Sequence, residues 1–232
     1  MIKKAMILAA GFGKRIQPLT FKKPKPLLKI GGKTLLSNTL EFLKLAGIKH
    51  VVINIHYLGN QISDHIKNNN FGIKITIIEE KGRILDTGGG VRNAINYFLD
   101  EPFLIINPDT IWSSNYLKEI NLMKKSFFNT KNSKCSLLVV NKSKSFDKYM
   151  KGDFSLNNNL IVKKGNLNYI YTGLQIIRPE VFKSLKLESF PINKVWHKLM
   201  NQEQLYGFKS NVNFLHVSNL NIYKDLEKKF KN

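Results

Sequence analysis

Short apolar runs alternate with segments of helical periodicity through the first half of the chain. The apolar runs at 2–9, 50–55, 73–78 and 103–106 are typical of buried strands. Segments 34–46, 59–69 and 87–99 instead place apolar residues three to four positions apart, which predicts helices. Strands that alternate with helices indicate crossover connections and a largely parallel sheet.

The second half of the chain has shorter and less regular elements. The pattern predicts helices at 115–128 and 193–201, with a closing helix that begins at Asn219. It predicts a strand at 135–140, strand-like segments at 152–156, 160–163 and 169–177, and strands near Leu205 and Phe214. Neither a linker nor a repeat separates the halves, so we expect one α/β domain over 1–232, with halves 1–112 and 113–232.

Composition places the chain among globular proteins. Its hydrophobic content is 43%, which can build a core, and no apolar run approaches the roughly 18–20 residues that span a bilayer. The apolar N-terminal run is short and meets Lys14 and Arg15 where a signal peptide would have its cleavage site. The single cysteine, Cys135, lies in an apolar run and is expected in the core. We therefore predict a cytoplasmic protein with no membrane partner.

The formal net charge of +21 raises the question of a nucleic-acid partner. Most of the basic residues are scattered lysines, accompanied by many Asn and Ile residues whose codons are also AT-rich. Proteins that read bases rely on bidentate arginine, and only four arginines occur: Arg15, Arg83, Arg92 and Arg178. We therefore predict no nucleic-acid partner, and a local basic patch that attracts phosphorylated small molecules.

The densest basic segment directly follows the first predicted strand, in LAAGFGKRIQPLTFKKPKPLL. Gly11 and Gly13 allow backbone N–H groups to approach an anion closely, and Lys14, Arg15 and Lys25 add positive charge. Three prolines reduce the entropy that the segment would lose when it binds a ligand. The segment lacks both the Walker A and the dinucleotide-binding pattern. It therefore predicts a different kind of polyphosphate cradle.

Two further motifs lie at predicted strand or helix ends. Asp109 follows the strand 103–106, where a carboxylate can hold Mg²⁺ between phosphate oxygens or can cap the next helix. Three consecutive glycines, 88–90, open the predicted helix 87–99; they suit either ligand contact or close packing in a tight turn. Ligands of open α/β sheets bind beyond the carboxyl ends of the strands.

The full string from Leu8 to Leu28 resembles the signature of the sugar-1-phosphate nucleotidyltransferases, LAAG-x-G-x-R-x-x-PLT-x-x-x-PKPL. The strings VVINIHYLGNQISDHI, ILDTGGGVRNA, FLIINPD, KGDFSL, YIYTGLQIIRPEVF and FLHVSN follow in family order. They are most similar to the small branch that makes UDP-N-acetylmuramic acid in cell-wall recycling; proteins like mannose-1-phosphate guanylyltransferase are close relatives. The resemblance implies a Rossmann-like (GT-A-like) nucleotidyltransferase fold, with a mixed, mainly parallel sheet and helices on both faces.

The resemblance also implies roles for individual residues. The first half would bind the nucleotide and the second half the sugar phosphate. Catalysis would fall to Arg15, Lys25 and Asp109, and Asp109 would hold the Mg²⁺ cofactor. The nucleotide-binding residues would be Ala9, Ala10, Gly11, Gly13, Lys14, Arg15, Asn54, Thr87 and Gly88, and the sugar-phosphate-binding residues Asp153, Thr172 and Gly173.

One position departs from the family pattern at a metal ligand. His216 stands where many relatives carry an aspartate that is a second metal ligand, and imidazole suits Mg²⁺ less well than oxygen donors. Pro108 replaces the commoner Gly or Ser.

Three functions follow as alternatives. The first is transfer from UTP to N-acetylmuramate 1-phosphate, and the second is transfer from GTP to mannose 1-phosphate or to another sugar phosphate. The third is a non-catalytic module that binds a nucleotide sugar and regulates, which the changes at His216 and Pro108 leave open.

Overall fold

The computed structural model describes residues 2–231 of the chain, within which eleven strands and seven α-helices form. The strands are β1 (Lys4–Leu8), β2 (Lys29–Ile30), β3 (Lys33–Thr34), β4 (His50–Ile55), β5 (Lys74–Glu79), β6 (Phe103–Ile106), β7 (Cys135–Asn141), β8 (Ser155–Asn157), β9 (Leu160–Val162), β10 (Tyr169–Ile177) and β11 (Leu205–Ser210). The helices are α1 (Leu35–Leu45), α2 (Gly59–Lys67), α3 (Asp86–Ala94), α4 (Asn115–Asn129), α5 (Glu180–Lys183), α6 (Asn193–Asn201) and α7 (Leu220–Lys229).

Nine of the strands form one sheet in the order β5-β4-β1-β6-β10-β7-β11-β9-β8. The partners β5, β4, β1 and β6 are parallel to one another, as are β7 and β11. β10 is antiparallel to both of its neighbours, and so is β9. The other seven strands therefore share one direction, which confirms the predicted mixed and mainly parallel sheet. The sheet runs through both predicted halves of the chain.

Helices cover both faces of this sheet, as predicted. Along β1 the side chains alternate: Ala5 and Ile7 pack in the core beneath α1 and α4, whereas Met6 packs beneath α3 and α6. Because both faces are buried, the central strands read as continuous apolar runs, and this made them visible in the sequence. Cys135 lies fully buried in the core, as expected. Among the helices of residues 2–231, none is long and apolar enough to cross a bilayer.

Several predicted boundaries differ from the structure. The helix predicted at 87–99 ends at Ala94 and continues only as a 3₁₀ turn, before Leu99 adopts a φ of 54°. The predicted strand near Phe214 is wrong, since this residue makes only an isolated bridge to Ser145. The segment predicted at 152–156 becomes a strand only from Ser155. Short apolar segments in this half follow tertiary contacts, which a local pattern does not contain.

The closing helix α7 packs against the segment that follows β1. Tyr223 and Leu226 are buried in one cluster with Ile16 and Leu28, and the Tyr223 hydroxyl donates a hydrogen bond of 3.1 Å to the carbonyl of Lys29. The segment 9–28 between β1 and β2 is the opening loop. Helix α7 therefore packs on this loop and stabilises it from outside the sheet.

The glycines at 88–90 allow a second chain segment to approach α3 closely. The N–H groups of Gly88 and Gly89 both donate to the carbonyl of Phe190, at 2.9 and 3.0 Å. A Cβ atom built on Gly88 would overlap the Phe190 ring, and one on Gly89 would overlap the carbonyl oxygen of Glu188. Close packing with the segment 188–190 therefore explains these two glycines.

We predict that Gly89→Ala destabilises the protein. Alanine would stabilise an open helix by about 1 kcal/mol relative to glycine, but overpacking against Glu188 should cost roughly 1–3 kcal/mol and exceed that gain. Thermal and urea unfolding measure the difference. Gly11→Ala is the matched control, because nothing lies within 4 Å of its added Cβ. Equal or greater stability of Gly89→Ala would contradict the packing explanation.

Candidate active site

A cavity of about 340 Å³ opens at the carboxyl ends of β1, β4 and β6. Its position agrees with the rule for ligand sites in open α/β sheets. The lining residues come from the loops that follow these three strands and from the start of α3. They are Leu8, Ala9, Ala10, Gly11, Gly13, Lys14, Arg15, Ile16, Lys25, Pro26, Asn54, Ile84, Asp86, Thr87, Asn107, Pro108 and Asp109. Ten predicted site residues therefore meet in one cavity.

The opening loop folds into three single 3₁₀ turns rather than an irregular loop. Gly13 adopts a φ of 64°, and a Cβ atom there would come within 2.9 Å of Thr20. The Thr20 hydroxyl donates to the Gly13 carbonyl at 3.0 Å, and the Tyr57 hydroxyl donates to the Thr20 carbonyl at 2.9 Å. The loop is therefore held in one shape before any ligand binds, which lowers the entropy lost on binding.

The two glycines of the loop serve different purposes. Gly13 must lack a side chain, because its φ is positive and an added Cβ atom would collide with Thr20. Gly11 has no such need, because its backbone is not left-handed and nothing lies within 4 Å of an added Cβ. Gly11 lines the cavity, so its small size leaves room there for a ligand to approach the backbone.

An ion pair between Lys25 and Asp109 joins the opening loop to the end of β6. Lys25 Nζ lies 2.5 Å from Asp109 Oδ2, and the side chains are only 13% and 17% exposed. Burial alone would raise the pKa of Asp109, but the positive charges of Lys25 and Arg15 and the nearby His216 outweigh it and lower this pKa to about 2. Asp109 is therefore ionised at neutral pH.

The other carboxylate oxygen of Asp109 is suited to bind a cation. Asp109 Oδ1 is buried and has no hydrogen-bond partner. His216 Nδ1 lies 3.5 Å away, too far for a good hydrogen bond. Burial lowers the pKa of His216 and outweighs the attraction of Asp109, so its imidazole is neutral at neutral pH. A divalent metal ion fits this pair, because it would satisfy the unpartnered oxygen.

A second cavity of about 410 Å³ adjoins the first and shares Thr87 and Asn107 with it. Tyr171 and Trp196 pack edge to face in its wall, with ring centroids 4.9 Å apart. Further lining comes from α6 and the two residues before it, and from the loops before β8 and after β9: Gly152, Asp153, Phe154, Lys163, Leu167, Pro191, Ile192, Asn193, His197 and Met200. The site therefore has two compartments that meet at Thr87 and Asn107, and the Lys25–Asp109 ion pair lies in the wall of the first.

The predicted sugar contact Asp153 lies in this second cavity. Its Oδ2 accepts a hydrogen bond of 2.9 Å from the Tyr171 N–H, which fixes the direction of the carboxyl group. Partial desolvation raises the pKa of Asp153, while the Tyr171 hydrogen bond and the charge of Lys163 offset part of that rise. A fixed carboxylate beside aromatic rings suits the hydroxyl groups of a polar ligand.

Three predicted contact residues lie one layer behind the cavity walls. The N–H of Gly88 is already bound to Phe190, and the Thr172 hydroxyl donates to the Leu138 carbonyl at 2.8 Å. Gly173 has a φ of 93°, and its carbonyl accepts the Asn107 N–H at 2.8 Å. These contacts assign the three residues to holding the walls in place, and a direct ligand contact by them stays a prediction.

The sequence patterns missed Glu80, which holds three loops of the first cavity together. Its Oε1 accepts from Asn54 Nδ2 and its Oε2 from the Leu85 N–H, both at 2.7 Å. Asn54 Oδ1 in turn accepts the Ala9 N–H at 3.0 Å. Glu80 is 3% exposed. One feature of the sequence could have indicated Glu80: it directly follows the strand β5. A carboxylate buried at a strand end needs hydrogen-bond partners, so it tends to hold neighbouring segments together.

Asn107 and the aromatic wall were missed as well. Asn107 lines both cavities and precedes Pro108 and Asp109 at the end of β6. The prediction of a site at Asp109 could therefore have drawn attention to Asn107. Tyr171 and Trp196 carried no distinguishing signal, because aromatic residues at these spacings are typical of any core.

Comparison with known proteins identifies the family. The model of the nucleotidyl transferase family matches residues 4–148, which include the opening loop, Asn54, Thr87 and Asp109. The chain belongs to the nucleotidyl transferase family. The predicted enzyme class and family resemblance are thereby confirmed.

Similar nucleotidyl transferases extend over nearly the whole chain. The N-acetylmuramate alpha-1-phosphate uridylyltransferase of Neisseria meningitidis is 34% identical over 211 residues, 89% of either protein. The protein of that name from Caulobacter vibrioides is 27% identical and covers 93% of this chain and 91% of its own length. The mannose-1-phosphate guanylyltransferase catalytic subunit beta of Danio rerio is 29% identical over 89% of this chain but 58% of its own length.

Solved structures agree on the fold of this nucleotidyl transferase. A putative glucose-1-phosphate thymidylyltransferase from Bacillus anthracis superposes with a TM-score of 0.81 at 18% identity, over 99% of this chain and 95% of its own. The inositol-1-phosphate CTP transferase of T. maritima gives 0.79 at 20% identity, over 100% and 97%. At such identities the likeness concerns the fold alone, and it confirms the predicted fold class.

We predict that Lys25→Ala and Asp109→Asn each lower kcat roughly 10²–10³-fold, the usual effect of losing one well-placed charge in a transition state. The measurement is steady-state pyrophosphate release, with circular dichroism and thermal unfolding to verify the fold. Lys22→Ala is the control, because Lys22 is an exposed lysine of the same segment outside the cavity. Near-normal rates in either variant would remove that residue from the mechanism.

Glu80→Gln should weaken nucleotide binding while the chemical step is retained. One of the two N–H groups now bound by Glu80 would face the amide NH₂, so the loop at Leu85 or Asn54 loses its anchor. We expect KM for the nucleotide to rise roughly tenfold, with kcat within about twofold of wild type. Glu79→Gln, a change at the exposed neighbouring residue, should leave both constants unaltered. A fall in kcat at constant KM would refute the positioning role.

Proposed function

We propose that this enzyme transfers a uridylyl group from UTP to N-acetylmuramate 1-phosphate and releases pyrophosphate. The observation that carries the proposal is the pair of cavities that meet at Thr87 and Asn107, the first of which contains the Lys25–Asp109 ion pair. A nucleotide in the first cavity and a sugar phosphate in the second cavity would bring their phosphates together where the two cavities meet. Such positioning is the main requirement of phosphoryl transfer.

The choice of substrates rests on the relatives. Two proteins named N-acetylmuramate alpha-1-phosphate uridylyltransferase match this chain over about nine-tenths of both lengths. The matching mannose-1-phosphate guanylyltransferases are longer, and this chain covers 58% of the Danio rerio protein. The Neisseria meningitidis protein has the higher identity, 34% against 29% for the Danio rerio protein, over an equal share of this chain, and this supports UTP and the muramate phosphate.

In the proposed reaction, an oxygen of the sugar phosphate attacks the α-phosphorus of UTP in line. The bond from that oxygen to the α-phosphorus forms, the bond between the α-phosphorus and the bridging oxygen breaks, and pyrophosphate leaves with the electron pair. The attacking phosphate is already anionic at neutral pH, so it needs little general-base help. The work left to the protein is orientation and charge neutralisation.

The residues of the first cavity divide that work. Arg15 and Lys14 would bind the β- and γ-phosphates, where the fork of the guanidinium suits phosphate oxygens. Lys25 would move from Asp109 towards the reacting phosphate, because its side chain lines the first cavity. Backbone N–H groups near Gly11 would approach the phosphates, since that stretch is sterically open.

Asp109 would hold the divalent metal ion through Oδ1, and the predicted ion is Mg²⁺. Bound there, the ion would supply charge neutralisation between phosphate oxygens. The proposal keeps the predicted cytoplasmic location, where nucleoside triphosphates are made, and includes neither a membrane nor a nucleic-acid partner.

Transfer from GTP to mannose 1-phosphate is the second candidate, supported by the 29% identity to the Danio rerio protein. It would use the same mechanism with other contacts to base and sugar. A non-catalytic regulatory module is less well supported, because the desolvated ion pair and the unpartnered carboxylate oxygen are suited to chemistry rather than to binding alone.

We predict that pyrophosphate release is fastest with UTP and N-acetylmuramate 1-phosphate. The measurement crosses UTP, GTP, CTP, ATP and dTTP with N-acetylmuramate, N-acetylglucosamine, glucose and mannose 1-phosphates, and compares kcat/KM. Asp109→Asn is the blank, because it keeps the cavity and loses the charge. A dominant signal from GTP with mannose 1-phosphate would keep the mechanism and replace the substrates. If no pair of substrates releases pyrophosphate although the nucleotide still binds, the catalytic proposal is overturned.

A further inference from the structure

A third cavity, of about 220 Å³, lies at the end of the sheet opposite the first cavity. Its walls are the end of α4, the start of β7, the start of β11 and the turn between β8 and β9. β7 and β11 run in the same direction as β1 and β6, whose carboxyl ends form the first cavity. The third cavity lies at the amino ends of β7 and β11, so the length of the strands separates it from the first.

The lining of the third cavity is polar but carries no charge. Within residues 2–231, none of its lining residues is charged, although the chain has 37 basic and 16 acidic residues. Its polar groups are hydroxyls, for example those of Thr130, Ser136 and Tyr206, and the side-chain amides of Asn158 and Asn159. These groups both donate and accept hydrogen bonds, whereas an ionic ligand would need an opposite charge to replace its hydration. The cavity therefore suits an uncharged ligand with several hydroxyl groups.

The hydroxyl of Ser133 lacks a partner in this lining. Its Oγ is buried and has no hydrogen-bond partner among residues 2–231. The backbone of Ser133 is fixed, because its N–H donates to the Thr130 carbonyl at 3.0 Å and its carbonyl accepts from Arg178 Nε at 3.1 Å. The hydroxyl alone can turn, since rotation about the Cα–Cβ bond moves it between staggered positions. A ligand hydroxyl in the cavity would remove the cost of leaving this group unpaired.

The turn between β8 and β9 forms a fixed side of the cavity. Asn158 and Asn159 adopt φ values of 47° and 66°, the left-handed conformation that a two-residue hairpin turn requires and that asparagine tolerates. The Asn159 carbonyl accepts a hydrogen bond of 2.8 Å from the Gly207 N–H, which holds the turn against β11. The two asparagine side chains therefore extend from a backbone that is held in place before a ligand binds.

The size of the cavity limits the ligand to a small molecule. Pockets for drug-sized ligands measure roughly 300–1,000 Å³, so a cavity of about 220 Å³ suits a molecule of monosaccharide size. Phe127 and Tyr206 add aromatic surface to the polar lining. A sugar combines hydroxyl groups with apolar C–H faces, and the lining offers a partner for each.

The β8–β9 hairpin links the third cavity to the second. Phe154, directly before β8, and Lys163, directly after β9, line the second cavity, whereas the turn at the other end of the hairpin lines the third. The two strands between them pair along their whole length. A ligand that contacts the turn therefore acts on an element that also forms the wall of the second cavity.

We propose that the third cavity binds an uncharged, hydroxyl-rich molecule of monosaccharide size, and that this molecule changes the affinity of the second cavity through the β8–β9 hairpin. The binding itself does not depend on the proposed reaction. The effect on the second cavity rests on the proposed function, which assigns the sugar phosphate to that cavity. The effect is reciprocal, so the sugar phosphate should change the affinity of the third cavity by the same factor.

The test of binding is a titration of the ¹⁵N-labelled full chain with glucose and, in parallel, with N-acetylglucosamine, followed by amide chemical shifts. The amide signals of Ser133, Ser136 and Gly207 should shift together and saturate with at least one sugar, with a dissociation constant in the millimolar range expected for a small neutral ligand. Ser133→Ala should raise that constant roughly fivefold, because one hydrogen bond is lost. It should not lower Tm, because the hydroxyl has no partner in the free protein.

Ser143→Ala is the matched control, because Ser143 is an exposed serine outside the cavity. It should leave the dissociation constant unchanged. If neither sugar shifts the signals of the third cavity, if the shifts are confined to the second cavity and its Trp196 indole, or if Ser133→Ala binds as tightly as the wild type, the site is overturned. An equal response to glucose 6-phosphate would overturn its assignment to an uncharged ligand.

The effect on the second cavity is measured as the KM for the sugar phosphate in pyrophosphate release, at increasing concentrations of the sugar that binds. We expect KM to change with a midpoint that matches the dissociation constant from the spectra and that moves with it in Ser133→Ala. Direct competition in the second cavity would give one midpoint in both proteins, and this result or an unchanged KM would overturn the coupling. A failure of the proposed reaction would leave the titration intact, so the two failures are distinguishable.

Discussion

The desolvated ion pair of Lys25 and Asp109 is the contact on which the site depends. It ties a loop rich in positive charge to the carboxyl end of a buried strand. The Lys25 ammonium is largely removed from water, and the Asp109 carboxylate neutralises its charge there. Under the proposed function, phosphate groups would replace the carboxylate as the partner of Lys25. The other oxygen of the same carboxylate has no hydrogen-bond partner, and under the proposed function it would bind a divalent cation.

Support for this arrangement comes from distant parts of the chain. The opening loop packs on the closing helix α7 through Tyr223 and Leu226, and its turns are fixed by the Tyr57 hydroxyl. The floor of the first cavity is held by Glu80 through Asn54 and Leu85. Each anchor is a hydrogen bond or an apolar contact to a fixed element, and together they preorganise the loops before a ligand arrives.

Hydrogen bonds of the segment 188–192 link the walls of the two cavities. Its backbone pairs with Leu85 just before α3 and with Gly88 and Gly89 in the first turns of that helix. The Ile192 N–H donates to the Thr87 hydroxyl at 2.8 Å. Thr87 lines both cavities, whereas Ile192 lines only the second. The wall of one compartment is thus built on the wall of the other, and a side chain at Gly88 or Gly89 would overlap this segment.

Elements with a local signal could be predicted from the sequence alone. The central strands could be recognised because both of their faces are buried, and the opening loop because glycine, proline and basic residues have intrinsic backbone and charge properties. Which residues line the cavities depends on contacts that form only in the folded chain. Gly88, Thr172 and Gly173 belong to strings that resemble the family yet lie behind the cavity walls. Glu80, which lies outside those strings, holds the first cavity together, and Asn107 lines both cavities. The reason is physical: side-chain partners such as His216 for Asp109 are separated by about a hundred residues and meet only when the sheet brings strand ends together.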